Sequence, residues 1–482
     1  MKSTCISAAI ATAACLLAGI ANAAPADPKP ARPNVVVIFC DDLGYTDVGC
    51  FGAKGFATPN LDRMAKEGMR FTNFYAAQAV CSASRAGILT GCYPNRVGIS
   101  GALMPNSTIG LSTEEKTIAA LVKPAGYATG MVGKWHLGHL PQFMPWNHGF
   151  DDYFGLPYSN DMWPVDYDGK PRKAGYPALK LYDQQNQIDT IDTLAKQDQL
   201  TTRYTEHATR FIRQHKDGPF FLYFAHSMPH VPLGVSEKFR GKSQQGMYGD
   251  VIMEIDWSVG EVLKTLKDCG LDENTLVVFT SDNGPWLNFG NHGGSCYGLR
   301  EGKGCSFEGG QKEPCIMRWP GKIPAGTECK KLASTIDLLP TIAGLAEAKL
   351  PEKKIDGIDI RPLLLGQPDA CPRHDFLYYY NANDLEAVRR DNWKLVFPHN
   401  HRSYVGVTPG KDGHAGPYAQ SKATYALYDL EKDPGETTDT AAAHPEIIAE
   451  LEKLAAATRQ DLGDGLTKTP GTGRRQPGRG EK

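Results

Sequence analysis

The sequence predicts an α/β fold: one large mixed, mainly parallel sheet sandwiched by helices, then a smaller C-terminal antiparallel sheet with a helix. Three observations predict it. Short, nearly continuous apolar runs, of the kind buried on both faces of a parallel sheet, alternate with stretches of helical apolar spacing. Four of these runs lead into polar clusters: Asp41-Asp42, Lys134 with His136, His230, and Asp282-Asn283. Beyond Cys371 the pattern changes to short runs joined by turns, an antiparallel meander in outline.

The elements follow in order. Lys2, an apolar run from Ile6 to Ile20 and then Ala21-Asn22-Ala23 read as a signal peptide over residues 1–23. That run is short for a membrane span, which needs about 20 residues, so the expectation is an exported, secreted or periplasmic protein without a membrane span. Residues 24–32, rich in Pro and Ala, read as a mobile lead-in. The first domain spans 33–370. Its apolar runs at 34–40, 128–132, 220–225, 275–280 and 315–319 predict strands. Helices are expected over 58–68, 113–123, 200–215, 251–267 and 337–345. Another helix carries Arg85 in its first turn and closes near Gly91, with Ser82 or Ser84 as its cap. Residues 164–196 show no period and read as a surface excursion, and 300–310 as a Gly-rich loop. The second domain, 371–465, holds strands at 376–380, 387–390, 393–397 and 426–430 and a helix at 444–459. Residues 466–482, rich in Gly, Pro and Arg, read as a disordered tail.

Composition excludes some functions. A formal charge of −2 gives no global basic field for nucleic acid. Of 12 cysteines, Cys5 and Cys15 fall in the leader. Export permits disulfides among the others, but sequence does not assign partners. The lack of a CxxC pair disfavours a structural zinc site.

Ligands in open parallel sheets bind beyond the carboxyl ends of strands, so four polar clusters there argue for one site. Asp41, Asp42, Asp282 and Asn283 offer oxygen ligands alone, which suits a hard cation: calcium, with magnesium as the alternative. Arg85, Lys134, His136, His230 and Lys303 would repel one another in an empty pocket and become complementary around a bound oxyanion. Cys81 stands at a helix start, where backbone N–H groups and the helix dipole favour an anion. The plain alternative is a buried structural thiol.

The stretch Cys81-Ser82-Ala83-Ser84-Arg85, followed by Leu89-Thr90-Gly91, resembles the signature of the type I sulfatases. So do Asp41-Asp42-Leu43-Gly44, Gly133-Lys134-Trp135-His136, Pro229-His230-Val231-Pro232, Ser281-Asp282-Asn283-Gly284, Gly302-Lys303-Gly304 and Leu427-Tyr428-Asp429-Leu430, in the family's order. Phe150 to Asp161 looks nearest to the arylsulfatase A and N-acetylgalactosamine-6-sulfatase branch. The resemblance implies an alkaline-phosphatase-like sheet and a sulfuric ester hydrolase. It implies that Cys81 becomes formylglycine (3-oxoalanine), whose hydrate attacks sulfur while Asp282 helps activate it. Arg85 then steadies the diol, His136 takes the second hydroxyl's proton, and His230 or Lys303 protonates the leaving alcohol. Lys134, His230, Lys303 and Ser159 bind substrate, and Asp41, Asp42, Cys81, Asp282 and Asn283 surround calcium. Ala83, where the oxygen-dependent maturing enzyme prefers proline, points to a radical-type sulfatase-maturing enzyme as partner, or to no maturation in some hosts.

The expected substrate is a sulfated carbohydrate, with Trp146, Tyr158 and Trp163 stacking on sugar faces and 398–402 forming a polar turn. Two other readings compete: a phosphoester or phosphonate hydrolase of the same superfold, and a silent sulfoglycan-binding protein in which Cys81 stays a thiol.

Overall fold

The computed structural model describes residues 1, 32–167, 169–172, 175–367 and 370–481. The expectations for the signal peptide and the lead-in lie outside the described residues, apart from Met1 and Arg32.

Ten strands make the main sheet: β1 (Asn34–Cys40), β2 (Met69–Phe71), β3 (Ala128–Lys134), β4 (Asp152–Leu156), β5 (Leu179–Asp183), β6 (Asn186–Ile191), β7 (Phe220–Ala225), β8 (Thr275–Ser281), β9 (Cys315–Arg318) and β10 (Thr327–Cys329). Their spatial order is β10-β2-β9-β8-β1-β7-β3-β4-β5-β6. The central strands β8, β1, β7, β3 and β4 pair in parallel, and antiparallel pairs flank them. Strand β1 shows why its sequence has no polar alternation. Val35, Val37 and Phe39 enter one core, while Val36, Ile38 and Cys40 enter the core on the opposite face. Both faces are dry, so every position from Val35 to Cys40 is apolar. Each such side chain contributes roughly 1.5–3 kcal/mol of burial.

Helices α1 (Pro59–Glu67), α2 (Cys81–Thr90), α3 (Ile118–Val122), α4 (Leu200–Gln214), α5 (Gly246–Asp268) and α6 (Leu338–Leu345) belong to the helical layers. The start of α1 is capped from outside, because the Asp256 carboxylate accepts the N–H groups of Asn60 and Leu61. Gly133 marks the tightest approach in the sheet. A Cβ there would stand 1.7 Å from the Ala225 carbonyl oxygen, so only glycine lets β3 deliver Lys134 beside β7.

The C-terminal sheet runs β11 (Asp375–Tyr380), β12 (Asp384–Arg390), β13 (Trp393–Val396), β16 (Ala426–Asp429), all antiparallel, with α7 (Pro445–Leu462) beside it. Between β13 and β16 lies a hairpin of β14 (His399–Ser403) and β15 (Ala419–Ala423).

Several expectations change. Residues 164–196 contain β5 and β6, a hairpin that extends the main sheet as its edge. Helix α3 is shorter than expected and ends in a 3-10 turn at Lys123–Ala125. Residues 399–402 are strand rather than an exposed turn. His399 and His401 are buried, and the His401 ring lies 5.0 Å from that of Phe307.

The tail is ordered through 481. Arg475 pairs with the Glu115 carboxylate at 2.7 Å, and Gly478–Arg479 pairs in register with Ile109–Gly110. Composition favoured disorder because it ignores that a guanidinium with a buried carboxylate to reach has reason to settle.

Candidate active site

Four adjacent strands, β8, β1, β7 and β3, carry the expected cluster on their carboxyl ends. Asp41 and Asp42 follow β1, Asp282 and Asn283 follow β8, Lys134 ends β3, and His230 lies in the loop after β7. Helix α2 brings Cys81 and Arg85 to the same place. Its N-cap is Val80, without a side-chain cap. Ser82 instead accepts the Leu103 N–H at 2.9 Å, so neither expected serine caps the helix. Cys81 is therefore the first residue of the helix and is 3% exposed.

The carboxylates do not stand bare. Lys134 Nζ donates to Asp41. Lys303 Nζ lies 2.7 Å from Asp42 Oδ1. Arg85 Nη2 lies 2.7 Å from Asp282 Oδ2 and 3.6 Å from Asp41 Oδ2. The crowd of cations expected to repel one another is thus matched, acid by acid. Lys134 also donates to Ser159 Oγ at 3.0 Å. Asn160 faces inward, its amide close to the backbone carbonyls of His230 and Pro232.

Backbone strain supports the arrangement. Asp42 and His136 both hold positive φ, 63° and 58°, a region that non-glycine residues enter at a cost of about 1–3 kcal/mol and that clusters at functional sites.

The two histidines have defined tautomers. His136 Nε2 lies 2.9 Å from the Leu103 carbonyl, so it carries the proton, and buried Nδ1 is left without a partner. His230 Nδ1 faces the Val231 carbonyl, leaving Nε2 bare, 3.6 Å from Asp42 Oδ2. Burial, aided by Lys134 and Arg85 for His136 and by Lys303 for His230, lowers both pKa values, so both rings are neutral. Burial and neighbouring Asp41 lift Asp282 to about 7. Asp41 goes the other way: burial opposes its charge, but Lys134 and Arg85 outweigh burial and hold it below the usual carboxylate range. Burial pushes the Cys81 thiol up to about 11. An unmodified Cys81 is therefore a poor thiolate nucleophile at neutral pH.

The residues fit a hard cation. Asp41 Oδ1 and Asn283 Oδ1 are buried without a hydrogen-bond partner, a costly state unless something binds there. Donor atoms of Asp41, Asp42, Cys81 and His230 all lie within 4.8 Å of one another. Asp282 Oδ1 accepts the Asp42 N–H at 3.1 Å, and Asn283 Nδ2 donates to Asp42 Oδ1 at 2.6 Å, so these two residues close the set.

Three features escaped sequence reading. Trp286 lies with its ring 5.4 Å from His230, and Lys303 Nζ sits 4.3 Å from its centroid. Phe289, Tyr167 and His414 continue that aromatic wall outward. Trp163 and Tyr158, expected to meet sugar, are buried in the core, and Trp146 packs on Tyr153 and Tyr182. Lys394, fully buried, pairs with Glu436 at 2.7 Å and with Glu308 at 3.4 Å, fastening the C-terminal sheet to the loop that bears Lys303. Glu313 is buried with both carboxyl oxygens unpartnered, and burial, Asp282 and Asp42 raise its pKa well above the ordinary value. Its neighbours Lys312 and Pro314 carried no signal.

Geometry in which carboxylates suited to a hard cation stand among groups suited to an anion belongs to the hydrolases of anionic esters. Comparison narrows that class. The family model described as Sulfatase matches residues 33–348, and the one described as C-terminal region of aryl-sulfatase matches 372–470. The chain is 39% identical to arylsulfatase A of Homo sapiens over 468 residues, covering 91% of this chain and 89% of that protein. It is 37% identical to N-acetylgalactosamine-6-sulfatase of Canis lupus familiaris over 453 residues, covering 89% and 86%. The crystal structure of PsFucS1 sulfatase from Pseudoalteromonas sp. matches with a TM-score of 0.82 at 28% identity, covering 93% of this chain and 92% of that one. The chain belongs to the sulfatase family, and it is a sulfuric ester hydrolase on the alkaline-phosphatase-like scaffold. Among the described residues, no helix is long and apolar enough to cross a membrane.

Proposed function

We propose that this chain is an exported hydrolase of sulfate esters on a sulfated carbohydrate, with Cys81 converted to formylglycine and calcium held by Asp41, Asp42, Asp282 and Asn283 beside position 81. One observation carries the reading. Buried Asp41 and Asp42 converge with Cys81 and His230, Asp41 Oδ1 and Asn283 Oδ1 beside them lack a partner, and Asp41, Asp42 and Asp282 are each also matched to a cation.

Formylglycine would supply the attacking hydroxyl, and calcium would polarise a sulfate oxygen. The chain's own residues do the rest. Asp282 receives a proton from the attacking group. Arg85 fixes Asp282 and keeps its charge compensated. Lys134 and Lys303, released from full pairing when the acids gain a cation, turn their charge toward the sulfate, with Ser159 beside Lys134. Lys303 Nζ gives the leaving alcohol its proton, or His230 Nε2 does so after first taking one up, and His136 Nδ1, bare and buried, accepts the last one.

Beyond the sulfate pocket, Trp286 and Tyr167, both partly exposed and packed on buried Phe289, offer faces on which a sugar stacks. Conversion of Cys81 requires a sulfatase-maturing enzyme, of radical type by the Ala83 signature. With Cys81 3% exposed, that enzyme must act before the chain folds.

The test combines mass and turnover. The Cys81 peptide from the native host should carry the mass of formylglycine, and Cys81→Ala should fold normally but release no sulfate. Wild-type turnover by Cys81→Ala, or phosphate release with sulfate esters untouched, would sink the reading.

A further inference from the structure

We propose that Cys371, His374 and Asp391 form a second metal site, separate from the catalytic one, which takes a borderline-soft divalent ion, zinc foremost. Their ligand atoms all lie within 4.8 Å of one another. Cys371 carries a free thiol, with Sγ 4.0 Å from His374 Nδ1. Asp391 Oδ1 lies 2.6 Å from the same nitrogen.

That shared nitrogen decides between two chemistries. A nucleophile relay needs the thiol on one ring nitrogen and the carboxylate on the other. Here sulfur and carboxylate oxygen converge on Nδ1, so the trio is not a relay. Three unlike donors aimed at one point are the layout of a metal site with an open fourth position. In a tetrahedral zinc site the sulfur, nitrogen and oxygen donors stand about 3.3–3.5 Å apart, by the usual bond lengths. The observed 4.0 and 2.6 Å lie on either side of that value, so side-chain shifts of roughly 0.5–0.8 Å complete the geometry.

The backbone holds the ligands in place. Asp391 follows β12 in a turn with φ 49°, and its N–H donates to the His374 carbonyl at 2.8 Å. The next pair along, Asp375 with Arg390, is in register between β11 and β12. His374 and Asp391 are each 56% exposed in their side chains, so an ion has a path in and water can take the fourth position. A thiolate and a carboxylate neutralise a divalent charge. The sulfur and nitrogen donors select zinc or cobalt over the calcium that an all-oxygen set prefers. Bound there, the ion would pin the segment entering β11 to the β12–β13 turn.

The test uses the full chain. In Cys81→Ala protein, which removes the active-site thiol, one equivalent of cobalt(II) should give a thiolate-to-cobalt charge-transfer band in the near ultraviolet, and zinc should displace it. The band should vanish in Cys81→Ala/Cys371→Ser, and cobalt affinity should fall at least tenfold in Cys81→Ala/His374→Ala. With Cys81 intact, His374→Ala should release sulfate at the wild-type rate. No band in Cys81→Ala, a band that survives Cys371→Ser, or Cys371 found in a disulfide in the exported protein would each overturn the proposal. None of these outcomes depends on sulfatase turnover, so failure here is separate from failure of the proposed function.

Discussion

Arg85 and Asp282 form a fully buried ion pair at 2.7 Å, and the other terminal nitrogen of Arg85 donates to the Lys134 carbonyl at 3.0 Å. One guanidinium therefore spans the ends of β8 and β3. Replacing Arg85 by Ala leaves a buried carboxylate without its partner, which costs about 3–5 kcal/mol. Urea unfolding should show that loss, and sulfate release should fall at least a hundredfold. Arg85→Lys keeps the charge but loses the planar fork, so it should recover stability in part and activity little. Wild-type kinetics in Arg85→Lys would mean that a point charge suffices.

Metal removal gives the next prediction. Chelation should stop sulfate release and calcium should restore it, while Asp41→Asn should lose activity that added calcium does not recover. Elemental analysis of active protein is the check. Stoichiometric zinc without calcium or magnesium, once Cys371→Ser has removed the proposed second site, would contradict the oxygen-ligand argument.

The aromatic wall separates substrate positioning from catalysis. Trp286 touches both His230 and Lys303, so Trp286→Ala should lower kcat/KM on a sulfated oligosaccharide and on a small aryl sulfate alike. Tyr167 stands one ring further out, 6.4 Å from Phe289. Tyr167→Ala should lower kcat/KM on the oligosaccharide about tenfold and spare the aryl sulfate, because remote binding energy is available only to substrates that reach it. Equal losses from Tyr167→Ala would place that ring in the sulfate pocket.

A pH prediction comes from Glu386 and His399, whose Oε2 and Nε2 lie 3.3 Å apart in the C-terminal subdomain. Burial lifts Glu386 to about 8 and lowers His399 to about 4. His399 Nδ1 donates to the Phe397 carbonyl at 2.7 Å, so its Nε2 is bare and faces the Glu386 carboxyl without a hydrogen bond. Folded, the pair holds one proton from about pH 4 to 8. Unfolded, with ordinary values of 4.5 and 6.5, it holds two protons in acid, one between those values and none above. Its contribution to stability is therefore flat between them. It falls below 4.5, where the unfolded chain binds more protons, and it falls from 6.5 to 8, where the folded chain does. The alkaline limb has a slope of about 1.4 kcal/mol per pH unit. Glu386→Gln should abolish that limb in denaturation series between pH 6 and 9. An unchanged slope would show that Glu386 is already ionised in the fold.

Much of this was legible in the sequence, for physical reasons. Asp41, Asp42 and Asp282 stand at the ends of runs buried on both faces, where a carboxylate is too costly to be incidental. Strands β1, β7 and β8 were legible because a dry environment on both faces leaves no room for polar residues. The β5–β6 hairpin was hidden because an edge strand needs little apolar content; Asn186, Gln187 and Ile188 are exposed. The Lys394–Glu308–Glu436 cluster was hidden because its members lie far apart in the chain and each looks like an ordinary surface charge until the fold closes over it. The Cys371–His374–Asp391 trio escaped for a related reason, since one of its ligands comes from a different turn.

The ordered stretch 466–481 bears on biosynthesis. Arg475 reaches back to Glu115 and to the Arg96 carbonyl, and Gly478–Arg479 completes a two-stranded pair with Ile109–Gly110. None of these contacts exists while the ribosome still holds that part of the chain. The Arg475–Glu115 ion pair and the strand pair with Ile109–Gly110 therefore close only after residues 466–481 have emerged, late in folding. Fusions that restrain residues near Arg475 would interfere with that last closure, and a reporter or tag is better placed elsewhere.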